Sequence, residues 1–315
     1  MSTLASPGTA KATTAPKSAG PLKRFWRNNG AGYMFLLPWF IGFFGLTAGP
    51  ALVSLYLSFT NFDLLTDPRW IGAANYVRIA TADAKFAASM RVTFTYVLLS
   101  VPLKLAFALL VAVALNRGMR GLPWYRAIFY LPSLLGTSVA IAVLWRQLFA
   151  SNGLVNSFLA NFGIDGPSWI SNPGTSLYTL VILAVWQFGS PMIIFLAGLR
   201  QIPQDMYEAA SLDGASKWRQ FWKITLPLLT PVVFFNAVVQ TIDAFKAFTP
   251  AFIISGGTGG PINSTLFYTL YLYQEAFGFF RMGYASALAW ILLVIIALFT
   301  AFSFLSARYW VHYDD

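Results

Sequence analysis

Six apolar runs, each about as long as a helix needs to cross a bilayer, constrain this chain more than anything else in it. They lie at about 33–59, 92–115, 127–149, 175–199, 228–248 and 283–306, with short charged stretches between them. Residues of hydrophobic type make up 57% of the 315 positions and charged ones only 10%, against about 25% charged in soluble domains. That much apolar surface has to face lipid. Backbone N–H and C=O groups in lipid must be bonded internally, so the choice is helices or a closed barrel. Barrel strands read as short alternating segments, and none are seen. The expected fold class is an all-α membrane protein with about six transmembrane helices. Pro38 and Pro50 are expected to kink the first span.

The net charge of +10 does not point to nucleic acid. The bases sit in the N-terminal tail and in loops between apolar runs, as the positive-inside rule predicts. Residues 1–30 are rich in Ser, Thr, Ala, Pro and Lys, and Lys11, Lys17, Lys23, Arg24 and Arg27 meet no acid. They read as a disordered basic cytoplasmic tail ahead of a retained anchor and of a transmembrane domain over 31–315. The loop 60–91 is nearly balanced in charge. Arg117, Arg120 and Arg126 place the next loop inside, while 150–173, with Asp165 and no base, belongs outside. Both termini come out cytoplasmic, in the cell membrane. Cysteine is absent and His312 is the only histidine, so no disulfide, thiol site, metal site or cofactor is expected.

The polar interruption most unlike its apolar flanks is 200–227, which ends in EAASLDGASKWRQFWKITLP. Pro203 suits a first helical turn, 204–213 favours helix, and Gly214 is placed to end it. A second helix is expected from about 216. Trp218, Phe221, Trp222 and Thr225 then fall at i, i+3, i+4 and i+7, an aromatic stripe expected to be the packing side. By physics alone this is also a helix lying on the bilayer surface.

The spacing is more specific than that. Glu208-Ala209-Ala210, Gly214, Ile224, Leu226 and Pro227 fit EAA-x3-G-x9-I-x-LP at every position. In a cytoplasmic loop before the penultimate span, this resembles the EAA loop of binding-protein-dependent ABC importer permeases. MFLLPWFIGFFGLTAGPALVSLYLSFTNFDLL, YRAIFYLPSLLGTSVAIAVLWRQLF and SGGTGGPINSTLFYTLYLYQEAFGFFRMGYASA extend the resemblance over about 30–312, nearest to the first permease of maltose- and glycerol-phosphate-type systems. The chain departs from the maltose type in lacking extra N-terminal spans and a large external domain. The resemblance implies a type I ABC importer permease fold with cytoplasmic EAA coupling helices. It implies ATPase coupling through Glu208, Ala209, Ala210, Asp213, Gly214 and Ala215. It also implies as partners a second, different permease, two ATP-binding subunits, an extracytoplasmic solute-binding protein and a sugar.

Polar groups at bilayer depth are costly unless they face protein or water. Asn236, Gln240 and Asp243 form one stripe on the fifth span, a candidate cavity wall. The alternatives are hydrogen bonding between helices, or an Asp243–Lys246 pair at i+3. Gln187 on the fourth span, near Trp186, Gly189 and Ser190, offers an amide and an aromatic suited to a sugar ring. Ser133 and Thr137 are a weaker pair. Lys104 stands mid-span in the second helix and is expected to pair structurally or to meet the partner permease rather than substrate. There is no G-x-x-x-x-G-K-[ST] loop, so ATP hydrolysis is expected in a partner and the chain is not expected to be an enzyme. The alternative is an ion-gradient-driven secondary transporter or channel, for which Asp243 is a thin basis. A membrane enzyme would want clustered carboxylates, and none are seen.

Overall fold

In a computed structural model of the chain, Gly32 and residues 34–116, 121–136 and 138–312 are described. The expectations for the 1–30 tail, Arg117, Arg120, Thr137 and the last residues of the C-terminal tail lie outside that set. Among the described residues, four helices are long and apolar enough to cross a membrane: α1 (Met34–Ser58), α3 (Ala84–Leu115), the run Lys217–Ser255 and α14 (Met282–Trp310). Two bent pairs, α4 with α5 (Leu122–Leu135, Val139–Leu148; 94°) and α7 with α8 (Ser176–Trp186, Gly189–Leu199; 42°), bring the count to six if each is one span. Between them lie α2 (Ala74–Ala82), α6 (Leu154–Ala160) and α9 (Gln204–Leu212). The run from Lys217 comprises α10 (Lys217–Gln220), a wide turn Phe221–Thr225, α11 (Leu226–Phe245) and α12 (Thr249–Ser255), and α13 (Tyr268–Tyr273) follows.

Contacts divide the chain into residues 1–54 and 55–315, and each unit is described by itself. In the first, Trp39 stacks on Phe43 with centroids 5.1 Å apart, and Phe40 stacks on Phe44 at 6.1 Å. Pro50 does not simply kink this helix. It has no N–H to offer the turn before it, and Phe43–Ala48 widens into a π-turn in which the Gly49 N–H reaches Phe44 O. The same device recurs before Pro227, where the Leu226 N–H reaches Phe221 O.

In the second unit, the stretch 60–91 is not a plain loop. It carries a two-residue hairpin, Thr60–Asn61 against Arg69–Trp70, and then α2. The second span begins already at Ala84, because Asp83 caps it by accepting from the Phe86 N–H at 2.9 Å. The Asp83 carboxylate also accepts from the hydroxyls of Tyr271 and Tyr284, tying the start of α3 to α13 and α14.

Helix α3 is the axis of this unit and packs against α7, α8 and α11. Its buried face sets small residues, Ser89, Thr93, Ser100, Ala108 and Ala112, beside the larger Tyr96, Val97, Val101 and Leu115. Small residues let helix backbones approach, which is how helices associate when lipid is as apolar as leucine. Two apolar clusters stack along the axis. One gathers Val97, Val101, Leu180, Phe245, Phe267 and Tyr268 among others. The other gathers Ala108, Ala112, Met192, Phe195, Leu196 and Leu229. On α3 the switch between them falls from Val101 to Ala108, and on the α7–α8 pair from Ala184 to Phe188. A polar layer occupies that gap.

Candidate functional site

The polar loop 200–227 folds as two short helices around one glycine. Gly214 takes φ +75°, a left-handed conformation that glycine adopts without steric penalty. It closes α9 with both bonds of a Schellman turn: Ala215 N–H to Ala210 O at 2.9 Å and Gly214 N–H to Ser211 O at 3.1 Å. Ser216 then caps α10, accepting from Arg219 N–H at 3.3 Å. Gln220 is buried and holds the two helices together, donating to Ser211 Oγ at 2.9 Å and Ala215 O at 3.1 Å. The Tyr207 and Thr225 hydroxyls bond at 2.9 Å, joining α9 to the wide turn. The spacing of alanine, glycine and alanine in this stretch is thus the spacing of a self-supporting helix–turn–helix.

Its outer surface is left without partners among the described residues. Glu208, Ala209, Asp213 and Gly214 are exposed, with Ala210 and Ala215 half-buried. No ion pair involves Glu208 among the described residues. Leu212 is 89% exposed at the tip. A cleft of about 280 Å³ opens beside it, edged by Asp213, Arg219 and Lys223. The aromatic stripe is a correction to the sequence expectation. Trp218 is 72% exposed and Trp222 48%, so they are not the packing side within this chain. The two tryptophans still share a face, ring centroids 5.6 Å apart, while Thr225 at the end of the stripe is buried, Phe221 is half-buried, and Gln220 beside the stripe is buried.

The second site is a cavity of about 520 Å³ in the polar layer. Gln187, Gln240 and Asp243 line it, as do Ser133, Ser190 and Lys104. Three sequence candidates lie elsewhere. Asn236 is buried one turn below, donating to Val232 O at 3.2 Å, with its Oδ1 unpartnered among the described residues. Trp186 packs toward Trp145, centroids 5.9 Å apart. Gly189 is a crossing point, since a Cβ there would strike Phe129 O and come within 2.7 Å of Tyr130 Cα. Asp243 pairs with Lys246 at 3.5 Å and also lines the cavity.

The break between α7 and α8 explains how Gln187 is aimed. Pro191 has no N–H to give the carbonyl of Gln187, four residues back. Ser133 on α4 substitutes: its hydroxyl donates to Gln187 O at 2.9 Å and accepts from Ser190 N–H at 2.9 Å. The freed Gln187 amide donates to Gly136 O at 3.1 Å. Irregular backbone at membrane depth is thereby satisfied, and it lines a cavity, the setting in which it is tolerated. Sequence reasoning passed over Tyr96 and Ser100, which also line the cavity. Their signal was present: Tyr96, Ser100 and Lys104 run at i, i+4 and i+8 along one face of α3.

A family profile described as "Binding-protein-dependent transport system inner membrane component" matches residues 79–311. The chain belongs to that family. It is 54% identical over 290 residues to the "Probable ABC transporter permease protein YesP" of Bacillus subtilis, covering 92% of this chain and 94% of the relative. It is 31% identical to the "Lactose transport system permease protein LacF" of Rhizobium radiobacter, covering 93% and 99%. The "Trehalose/maltose transport system permease protein MalF" of Thermococcus litoralis is also 31% identical, with 87% and 92% covered. A chain in the crystal structure of a bacterial alginate ABC transporter, in complex with alginate pentasaccharide-bound periplasmic protein, superposes with TM-score 0.77 at 21% identity, over 90% and 96% of the two chains. That likeness shows the permease fold. The expected fold class and the resemblance read from the EAA spacing therefore stand, and the protein is an inner-membrane permease component of a binding-protein-dependent transporter.

Proposed function

We propose that this chain is one of two unlike permeases in an ATP-driven importer of a sugar or sugar derivative. In this reading the loop 204–225 seats in an ATP-binding subunit on the cytoplasmic side, and a solute-binding protein delivers the sugar from outside. The observation that carries the mechanism is the helical run Lys217–Ser255. It starts in the loop, with Trp218 and Gln220, and ends at the cavity, with Gln240, Asp243 and Lys246. From Trp218 to Asp243 it spans about 35–40 Å at 1.5 Å per residue. A displacement of the loop by a closing ATPase pair is delivered along this run to the cavity wall. That is a rigid-body switch of the kind alternating access needs.

A sugar is favoured by the lining. Tyr96, Ser100, Ser133, Gln187, Ser190 and Gln240 offer hydroxyls and amides around a space within the usual range for small-molecule sites. Relatives named for lactose and for trehalose/maltose transport point the same way. The test is purification of the complex from membranes. ATP-binding subunits should co-purify, and uptake should stop when their ATP site is disabled. Uptake that survives that lesion and follows an ion gradient instead would overturn the reading. A ligand screen on the accompanying solute-binding protein checks the substrate class, and binding of only amino acids or metals would contradict a sugar.

A further inference from the structure

We propose that Lys104 is the anion-recognising group of the cavity, and that the imported sugar carries an anionic substituent, a carboxylate or a phosphate ester. This rests on the reading of the cavity as the sugar path. Lys104 lies on α3 one turn from the buried Ser100 and one from the buried Ala108, is itself half-buried, and lines the cavity. Its depth is the gap between the two apolar clusters, where Val101 belongs to one and Ala108 to the other. An ammonium at membrane depth is expensive and is retained where it has a partner. No hydrogen bond or ion pair of Lys104 is found among the described residues. The one acid lining the cavity, Asp243, pairs with Lys246 at 3.5 Å in a contact more than half exposed, and its charge is shared between Lys246 and Lys104.

The charges of the lining are therefore Lys104, Lys246 and Asp243, which leave one positive charge in excess. A neutral sugar needs hydroxyls and amides, and the cavity already supplies them. It gains nothing from an unmatched cation beside those groups. An anionic group does, because a charge-assisted hydrogen bond is shorter and stronger than a neutral one. Tyr96 and Ser100, on the same face, supply hydroxyl donors to the remaining oxygens of such a group.

The test uses the whole transporter in ATP-loaded proteoliposomes with its solute-binding protein. The probes are a mixture of neutral, uronate-bearing and phosphorylated di- to tetrasaccharides, with uptake read by mass spectrometry. The wild type should accumulate one of the two anionic classes, and which one identifies the substituent. Lys104→Gln should lower that uptake about tenfold or more. Lys104→Arg should retain most of it, and the complex should assemble normally in both variants. Uptake of neutral sugars alone by the wild type would overturn this inference and leave the importer reading intact. So would an equal loss for neutral and anionic probes in Lys104→Gln, or loss of the second permease from the complex, which would make Lys104 a subunit contact. Uptake of no sugar at all would overturn both.

Discussion

The loop around Gly214 and the cavity around Gln187 are both polar interruptions in an apolar chain, yet they are built in opposite ways. The loop is local. The bonds that shape it join residues between Gln204 and Leu226, and it exposes its unpaired side chains. The cavity is assembled from α3, α4, the α7–α8 break and α11, whose contributing residues lie far apart in sequence. Ser133, Gln187 and Ser190 are tied there by bonds between helices. A local device tolerates change in its surface but not in its message. An assembled one fails first as structure. The two regions should therefore respond differently to substitution.

The sharpest contrast is Glu208→Lys or Gly214→Arg. Transport should be abolished while the protein remains in the membrane at near-normal amounts. No atom lies within 4 Å of a Cβ on Gly214, so the structural penalty is backbone strain alone, about 1 kcal/mol. Normal uptake by either variant would break the comparison on the loop side. Gly189→Val should behave in the reverse manner. Its side chain meets the backbone of Phe129 and Tyr130, and overpacking of this kind costs about 1–3 kcal/mol or more. Membrane yield and melting temperature in detergent should fall before any change in ATPase coupling can be read.

Ser133→Ala should be milder in the same direction. It strands the Gln187 carbonyl and the Ser190 N–H, a loss of about 1–3 kcal/mol. Melting temperature should drop, and Ser133→Thr should recover part of it. Gln220→Ala sharpens the loop side. Two bonds between the short helices disappear, for about 1–2 kcal/mol confined to the loop. Hydrogen exchange should rise over 207–220 and nowhere else, with transport reduced but not lost. The smallest effect is expected at Asp83, away from both regions. Burial raises its carboxyl, but hydrogen bonds from Tyr271 and Tyr284 outweigh this and hold it below the ordinary aspartate range. The stability it contributes is complete above that range and is lost as pH falls through the lowered value. Asp83→Asn should flatten that acid-side loss in a melting series.

The same contrast explains how much was legible in the sequence. Apolar runs and the charges between them gave the spans, because lipid imposes one solution on a backbone. The loop was legible down to Gly214, because a Schellman turn fixes residues at short separations. Its aromatic stripe keeps its period, with Trp218 and Trp222 still adjacent, but only Thr225 at its end is buried, because what covers a helix face is not written in the helix itself. The cavity was half legible. Gln187, Gln240 and Asp243 carried polar signals on their own helices. Asn236 carried the same signal and turned inward elsewhere. Gly189, a candidate beside the substrate groups, sits where a Cβ would meet the backbone of Phe129 and Tyr130. Those outcomes depend on which helices meet, and periodicity along one helix does not contain that.

The most direct measurement of the central claim exploits a chain with no cysteine. A single cysteine is placed at Asp213, at the tip of the loop, and another, in a separate variant, at Thr258 in the glycine-rich segment beyond α12. Each is cross-linked in native membrane vesicles with and without ATP. The account predicts that Asp213→Cys links to an ATP-binding subunit, with a yield that changes on ATP binding, and that Thr258→Cys does not. A link from Thr258→Cys to that subunit, or none from Asp213→Cys in vesicles that transport, would contradict it.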